Sequence, residues 1–382
     1  MMTRSATPFH QHSILARQAI LDNWRQSYLT PLQAAYKQLT FLAKNIWLKT
    51  SPNIPRVTGF SRVPDHYKPG PQYEYEFLQF PASSEPQVIE TDVVIVGSGC
   101  GGAVCAKNLA EAGHRVVVVD KSYYYAPKHF PMDEASGGIH LFENGGTEQT
   151  DDASMSIIVG SNWGGGGTIN WSASLQPQAY VRKEWAQDRG LAFFESAEFQ
   201  KCLDRVCDRM GVSTDHIRHN HGNEVILEGS RKLGYTAKAV PQNTGGEEHY
   251  CGYCTLGCGS GQKQGPVISW LPDAAKSGAE FIEGFKVERV LFDDKDRKKA
   301  IGIKGLWTSR NSNGGVDGPI SGRTVREVIV KAKKVIISCG TLWSPIVLMN
   351  SGLKVSAFPS RCILCFDKFR THKLDVTPIS TL

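Results

Sequence analysis

Residues 91–120, TDVVIVGSGCGGAVCAKNLAEAGHRVVVVD, decide the fold of this 382-residue chain. They read as a buried strand (93–96), a turn, a helix, and a second apolar strand (116–119) closed by the carboxylate of Asp120. Gly97, Gly99 and Gly102 hold G-x-G-x-x-G spacing in the turn. In such a unit the first glycine permits the tight turn, the second lets backbone approach a pyrophosphate, and the third lets the helix pack on the strand. The helix N-terminus attracts the phosphate charge, and the terminal acid can accept hydrogen bonds from ribose hydroxyls. A dinucleotide site is therefore expected, and this stretch by itself does not separate NAD from FAD.

Outward from that unit, hydrophobic content of 41%, charge of 21% and 38 glycines describe a globular chain whose backbone lies against a ligand. No uninterrupted apolar run reaches the ~18 residues of a spanning helix, and the N-terminus has no secretory signal pattern. An intracellular protein with reduced thiols is expected from this and from ten cysteines, two of them (Cys100 and Cys105) inside the dinucleotide unit.

The net charge of +6 is concentrated at the start. Residues 1–62 hold eight basic residues against the single acid Asp22, a net +7, while the rest is close to neutral. Apolar residues at helical spacing predict two helices within residues 13–48, broken at Thr30-Pro31, with Thr30 as N-cap and proline at the first helical position. Such a basic, aromatic-rich segment reads either as a helical cover on the catalytic body or as a face for an anionic membrane. Nucleic acid is not expected as a partner, because the basic residues form no dense patch. Residues 50–90 read as an extended connector, and 121–156 as loops.

The second informative stretch is IIVGSNWGGGGTINWSASL, residues 157–175. Four consecutive glycines, 164–167, do not make a helix or strand interior. Trp163, Ile169 and Trp171 flank them and argue against a solvated linker, so backbone pressed against a flat or anionic ligand is expected.

Together the two stretches resemble the glucose-methanol-choline (GMC) oxidoreductases, and the continuation TINWSASL and VRKEWAQDRGL looks most like their long-chain fatty alcohol oxidase branch. The resemblance covers roughly residues 91–353. It implies a Rossmann-like α/β FAD-binding domain with an incomplete α+β substrate domain and an N-terminal helical extension. The expected division is 1–90 as extension and connector, 91–353 as FAD-binding region with partial substrate insertions, and 354–382 as a tail outside the family pattern. The resemblance assigns cofactor contacts to Gly97, Gly99, Gly102, Asp120, Gly164, Gly165 and Asn170, to Val287 at the adenine, and to Gly340 beside the pyrophosphate. Ile169 stands where some members carry a histidine bonded to the flavin, which implies non-covalent FAD. The implied reaction oxidises a long-chain alcohol to an aldehyde with O2 as acceptor and gives H2O2, with a histidine base. No histidine of this chain falls in the family's catalytic motif, so no catalytic residue is named and a truncated enzyme is expected. The alternatives are an inactive FAD-binding fragment or pseudoenzyme, and a dehydrogenase using another electron acceptor; an NAD enzyme would leave the second glycine stretch without a role. The branch implies an internal membrane or peroxisome, although Ser380-Thr381-Leu382 is no S-K-L signal.

Downstream, helices are expected over 193–211 and 222–233, closed by Gly211 and Gly234. Cys251, Cys254 and Cys258 follow in C-x2-C-x3-C spacing. Thiolates so spaced can hold zinc or an iron–sulfur cluster, but those sites want four ligands and His249 is the nearby fourth. Small apolar cysteines in a glycine-rich loop, or a redox-labile pair, are the alternatives, and no metal is expected. The isolated Cys362 and Cys365 are not read as ligands. Strands are expected from Phe281 to Ala332 as a small antiparallel sheet beside the Rossmann unit, with a charged turn over 293–299. Residues 334–352 read as a strand, a glycine turn and an apolar helix beginning at Ser344-Pro345.

Overall fold

The computed structural model describes residues 6–58, 69–150, 154–249, 252–316 and 322–353. The chain falls into two compact units: one takes the N-terminal segment and Asp133–Val159, the other is built from Pro64–Met132 and Gly160–Val355.

The larger unit is organised on a six-stranded sheet. Its order is Glu280–Ile282, Val116–Val119, Gln87–Val96, Val325–Ile337, Ala300–Thr308, Phe285–Phe292. The first four strands are mutually parallel, and Ala300–Thr308 pairs antiparallel with both of its neighbours. The central strand alternates its side chains between two cores, as period-two geometry dictates. Val93 and Ile95 pack with Val116, Val118 and Phe281 under Ala103, Ala106 and Ala110 of the helix Cys100–Glu111. Val94 and Val96 pack on the other face with Val117, Val119, Ile303, Val330 and Val347. Burial on both faces explains why these strands are continuous apolar runs.

Several expectations need correction. The antiparallel strands do not form a separate sheet, because Val325–Ile337 is one strand of 13 residues that pairs parallel with Gln87–Val96 and antiparallel with Ala300–Thr308. Its lysines Lys331 and Lys333 sit at outward, exposed positions. Lys331 pairs with Glu90 at 3.6 Å and Lys333 with Asp92 at 2.9 Å on the neighbouring strand. The stretch from Phe281 instead supplies the parallel edge strand Glu280–Ile282. The last helix begins at Gly340 rather than at Ser344-Pro345, so Pro345 lies inside Gly340–Asn350. Helices Ala197–Met210 and His221–Leu233 end where expected, on Gly211 and Gly234 in left-handed conformation.

In the smaller unit the helices are Ile14–Arg25 and Thr30–Thr50. Leu29, not Thr30, is the cap of the second, and Ser27 Oγ accepts from Leu29 N at 3.1 Å. Asn53–Thr58 adds a short helix within the expected connector. Residues 121–156 are not all loop. Asp133 caps the helix Glu134–His140 by accepting from Ala135 N and Ser136 N, and Phe142–Gln149 pairs with Ser156–Gly160 in a two-stranded sheet. The dense glycine and polar composition hid them. Among the described residues no helix is long and apolar enough to cross a membrane.

Candidate functional site

The geometry of the first glycine turn follows from what each missing Cβ would meet. Gly97 has φ +106°, and a Cβ there would lie 2.2 Å from Ser338 O. At Gly102 it would lie 1.9 Å from Gly97 O. Both positions are closed by backbone. Gly99 caps the N-terminus of the helix Cys100–Glu111, and its absent Cβ faces nothing within 4 Å. Two glycines thus pack the turn, and the third keeps its outer side open beside a helix terminus whose first N–H groups have no intrahelical acceptor.

The second glycine stretch lies on the first. A Cβ at Gly165 would stand 3.3 Å from Gly99 Cα. Gly164 and Gly165 have φ of +91° and +54°, and Gly164 N donates to Ser98 Oγ at 2.9 Å. Ser98 Oγ in turn donates to Asp120 Oδ2 at 2.6 Å, and Ser98 N donates to the same oxygen at 2.8 Å. Asp120 Oδ1 accepts from Ser122 N at 2.9 Å. Asp120 is therefore the knot that ties the turn, the end of its own strand and the second glycine stretch together. Each carboxylate oxygen has acceptor capacity beyond these bonds.

The remaining expected residues divide. Gly340, φ +76°, opens the last helix just after Ser338, whose carbonyl abuts Gly97 and whose N–H donates to Val96 O at 2.7 Å. Cys339, between them, has its thiol pushed up to about 12 by burial, with the Asp120 charge adding to the effect. Val287 is buried in the strand Phe285–Phe292, which is fastened to the acid because Phe285 N donates to Asp120 O at 2.7 Å. Asn170 belongs to the turn: its Nδ2 donates to Gly167 O at 2.6 Å and its Oδ1 accepts from Ser172 N at 2.7 Å. Its side chain shapes the second stretch.

Sequence reasoning missed several residues that hold this site. Lys263, 2% exposed, donates from Nζ to Thr168 O and Asn170 O, both at 2.7 Å, and to Cys254 O at 3.0 Å. A lone lysine in a glycine-rich run was its only signal. Tyr75, Phe77 and Phe281 surround the buried Trp163 at ring-centroid distances of 6.2, 4.9 and 5.7 Å, and Tyr124 packs behind them on Tyr75 and Phe77. Tyr75 OH donates to Val267 O at 2.9 Å, and burial holds its hydroxyl well above the usual tyrosine range. The loop after Asp120 is pinned by the buried Glu283, which takes Arg310 Nε at 2.6 Å and Nη2 at 2.8 Å and Tyr124 N at 2.9 Å. Of the cysteine cluster, Cys251 lies outside the described residues, as do Cys362 and Cys365. Among the described residues no group of three or more His, Cys, Asp or Glu is placed to hold a metal ion.

Residues 139–360 match the model of the GMC oxidoreductase family, and residues 95–124 match an NAD(P)-binding Rossmann-like domain. The chain is 36% identical over 274 residues to a long-chain-alcohol oxidase of Arabidopsis thaliana, an overlap that covers 70% of this chain and 35% of that protein. A second Arabidopsis thaliana long-chain-alcohol oxidase is 37% identical over 271 residues, again 70% and 35%. The chain thus spans about a third of the length of these curated relatives. Among solved structures, pyridoxine 4-oxidase aligns with a TM-score of 0.47 at 15% identity, over 69% of this chain and 52% of that one. With more than half of its residues inside the family model, this chain belongs to the GMC oxidoreductase family.

Proposed function

We propose that this chain carries the FAD site of an alcohol oxidase that converts long-chain fatty alcohols to aldehydes with O2, releasing H2O2. The observation that carries this is the joining of the two glycine stretches through Ser98, in a chain similar over 70% of its length to long-chain-alcohol oxidases. FAD is the cofactor that family membership indicates.

The residues present fit that group. Gly99 keeps an open side and Gly165 lies bare against it, whereas Gly164 is glycine because a Cβ there would strike Thr168 and Val267. The N-terminus of Cys100–Glu111 offers N–H groups and positive potential to a pyrophosphate. Asp120 and the main chain near Val287 would hold the adenosine end, with Gly340 beside the pyrophosphate. Ile169 is buried and apolar and has no nucleophile to offer, which supports non-covalent binding. When bound, FAD supplies the two-electron acceptor for alcohol oxidation. The chain's own part is to bind and orient the cofactor and, through Trp163 and its aromatic box, to keep water from one side of the turn. An apolar channel for the alkyl chain would gain about 0.8 kcal/mol per buried methylene. No residue is assigned as the base.

An absorption spectrum of the purified chain tests the cofactor, and peroxide release with a long-chain alcohol tests the reaction. Absence of flavin bands would overturn the first. Stoichiometric flavin without turnover would favour an inactive FAD-binding fragment, and dye reduction without peroxide a dehydrogenase.

Peripheral membrane contact through residues 1–62 is a second part of the proposal, with an internal membrane as the location. It is supported by Leu39, Leu42, Ile46 and Trp47, all about half exposed or more along one face of Thr30–Thr50, and by the +7 charge of that segment. Co-sedimentation with anionic vesicles that persists after deletion of the segment would refute it.

A further inference from the structure

Outside the cofactor cradle, the loop after residue 249 brings together a thiol, an imidazole and an amide. His249 Nδ1 lies 2.9 Å from Gln262 Oε1, and His249 Nε2 lies 3.9 Å from Cys254 Sγ. The orientation of the amide is set by its other contacts. Gln262 Nε2 donates to the Glu247 carboxylate at 3.4 Å, and Oε1 also accepts from Ser260 Oγ at 3.2 Å. An amide oxygen only accepts, so Nδ1 carries the imidazole proton and Nε2 turns a lone pair towards the thiol. That is the arrangement of an activated nucleophile: thiol, base, and a third group that fixes the base's tautomer.

We propose that Cys254 is a reactive thiol, activated by His249 and open to small soft electrophiles. The thiol proton passes to His249 Nε2. The sulfur then bonds to the electrophilic carbon or oxygen, whose leaving group departs with the electron pair of the broken bond. Lys263 Nζ sits 3.0 Å from Cys254 O, and the new imidazolium keeps its bond to Gln262. Glu247 faces the amide rather than the sulfur, and Glu248 is turned to Arg218 at 3.8 Å. Cys254 and His249 are both half-buried, so the reagents expected to modify the thiol are small. The proposal does not depend on the alcohol oxidase assignment.

The test is a brief iodoacetamide pulse on the purified full chain at several pH values between 6 and 9, with alkylation of each cysteine quantified by mass spectrometry. Cys202, half-buried on the helix Ala197–Met210, is the internal reference. At pH 6.5 Cys254 should react about tenfold faster than Cys202, because only the thiolate is nucleophilic. His249→Gln should bring the two rates together, and Gln262→Glu, which sets a carboxylate against Nδ1, should raise the Cys254 rate at low pH. Equal rates for Cys254 and Cys202 across the range, or an unmoved profile in His249→Gln, would overturn the proposal. Should His249→Gln unfold, Gln262→Glu decides alone: acceleration supports the activated pair, and an unchanged or lower rate overturns it.

Discussion

Ser98 and Asp120 are joined side chain to side chain, with Oγ donating to Oδ2 at 2.6 Å across 22 residues of sequence. The same hydroxyl accepts from Gly164 N at 2.9 Å, so one serine, itself fully buried, couples both glycine stretches to the acid. Ser98→Ala leaves the Gly164 N–H buried without that acceptor, at a cost of about 1–3 kcal/mol. The expected outcome is a lower melting temperature and roughly tenfold weaker FAD binding, read by thermal unfolding and by flavin fluorescence titration. Unchanged affinity would show that the two stretches are set independently.

Gly99 and Gly102 should respond in opposite ways to the same added methyl. Gly102→Ala drives a Cβ to 1.9 Å from Gly97 O, with the Ile95 side chain 3.3 Å away, and should destabilise the fold by about 3 kcal/mol or more. Gly99→Ala meets nothing in the protein, so folding should be unaffected while cofactor affinity falls. Denaturant unfolding and flavin titration of the two variants separate packing from binding.

Glu283 and Arg310 form a bidentate pair in which the carboxylate side chain is 4% exposed and the guanidinium 27%. Removing one partner strands the other in a poorly solvated place. Arg310→Ala should therefore cost about 3–5 kcal/mol and loosen the loop of Tyr123–Tyr125. Chemical denaturation measures the first, and faster amide exchange at Tyr124, whose N–H donates to Glu283, reports the second.

Alkaline stability should carry the mark of Cys339. Its folded thiol is pushed up to about 12 by burial, with the Asp120 charge contributing, from an ordinary value of 9.0. A raised acid constant means that the unfolded chain releases this proton first, so the stability is complete below about pH 9 and is lost as pH rises towards 12. Cys339→Ser should flatten that loss, measured as the denaturation midpoint against pH. In the native chain Cys339 should also resist iodoacetamide at pH 9, where an ordinary thiol reacts.

Much of the sheet was legible because buried parallel strands write themselves as apolar runs. VVIV and VVVV left no other place for those side chains, and G-x-G-x-x-G fixed the crossover between them. The continuity of the strand Val325–Ile337 is not legible in its local pattern, which carries Lys331 and Lys333 at its centre. Their partners Glu90 and Asp92 are some 240 residues away in sequence, and local pattern holds no trace of such pairing. Proline favours the first turn, so Ser344-Pro345 reads as a helix start, whereas the helix itself begins at Gly340.

By itself the sequence determined the kind of site: spacing of glycines, a terminal acid and a second glycine run dictate where backbone can come close to a ligand. Tertiary structure decided how that site is held. Asp120 turned out to organise the turn through Ser98 and Ser122, Asn170 to brace its own loop, and Lys263 to clamp three carbonyls from inside the protein. These roles depend on which polar groups meet at the bottom of a fold, where each must find a partner. Composition and periodicity record what is buried but not which buried groups become neighbours.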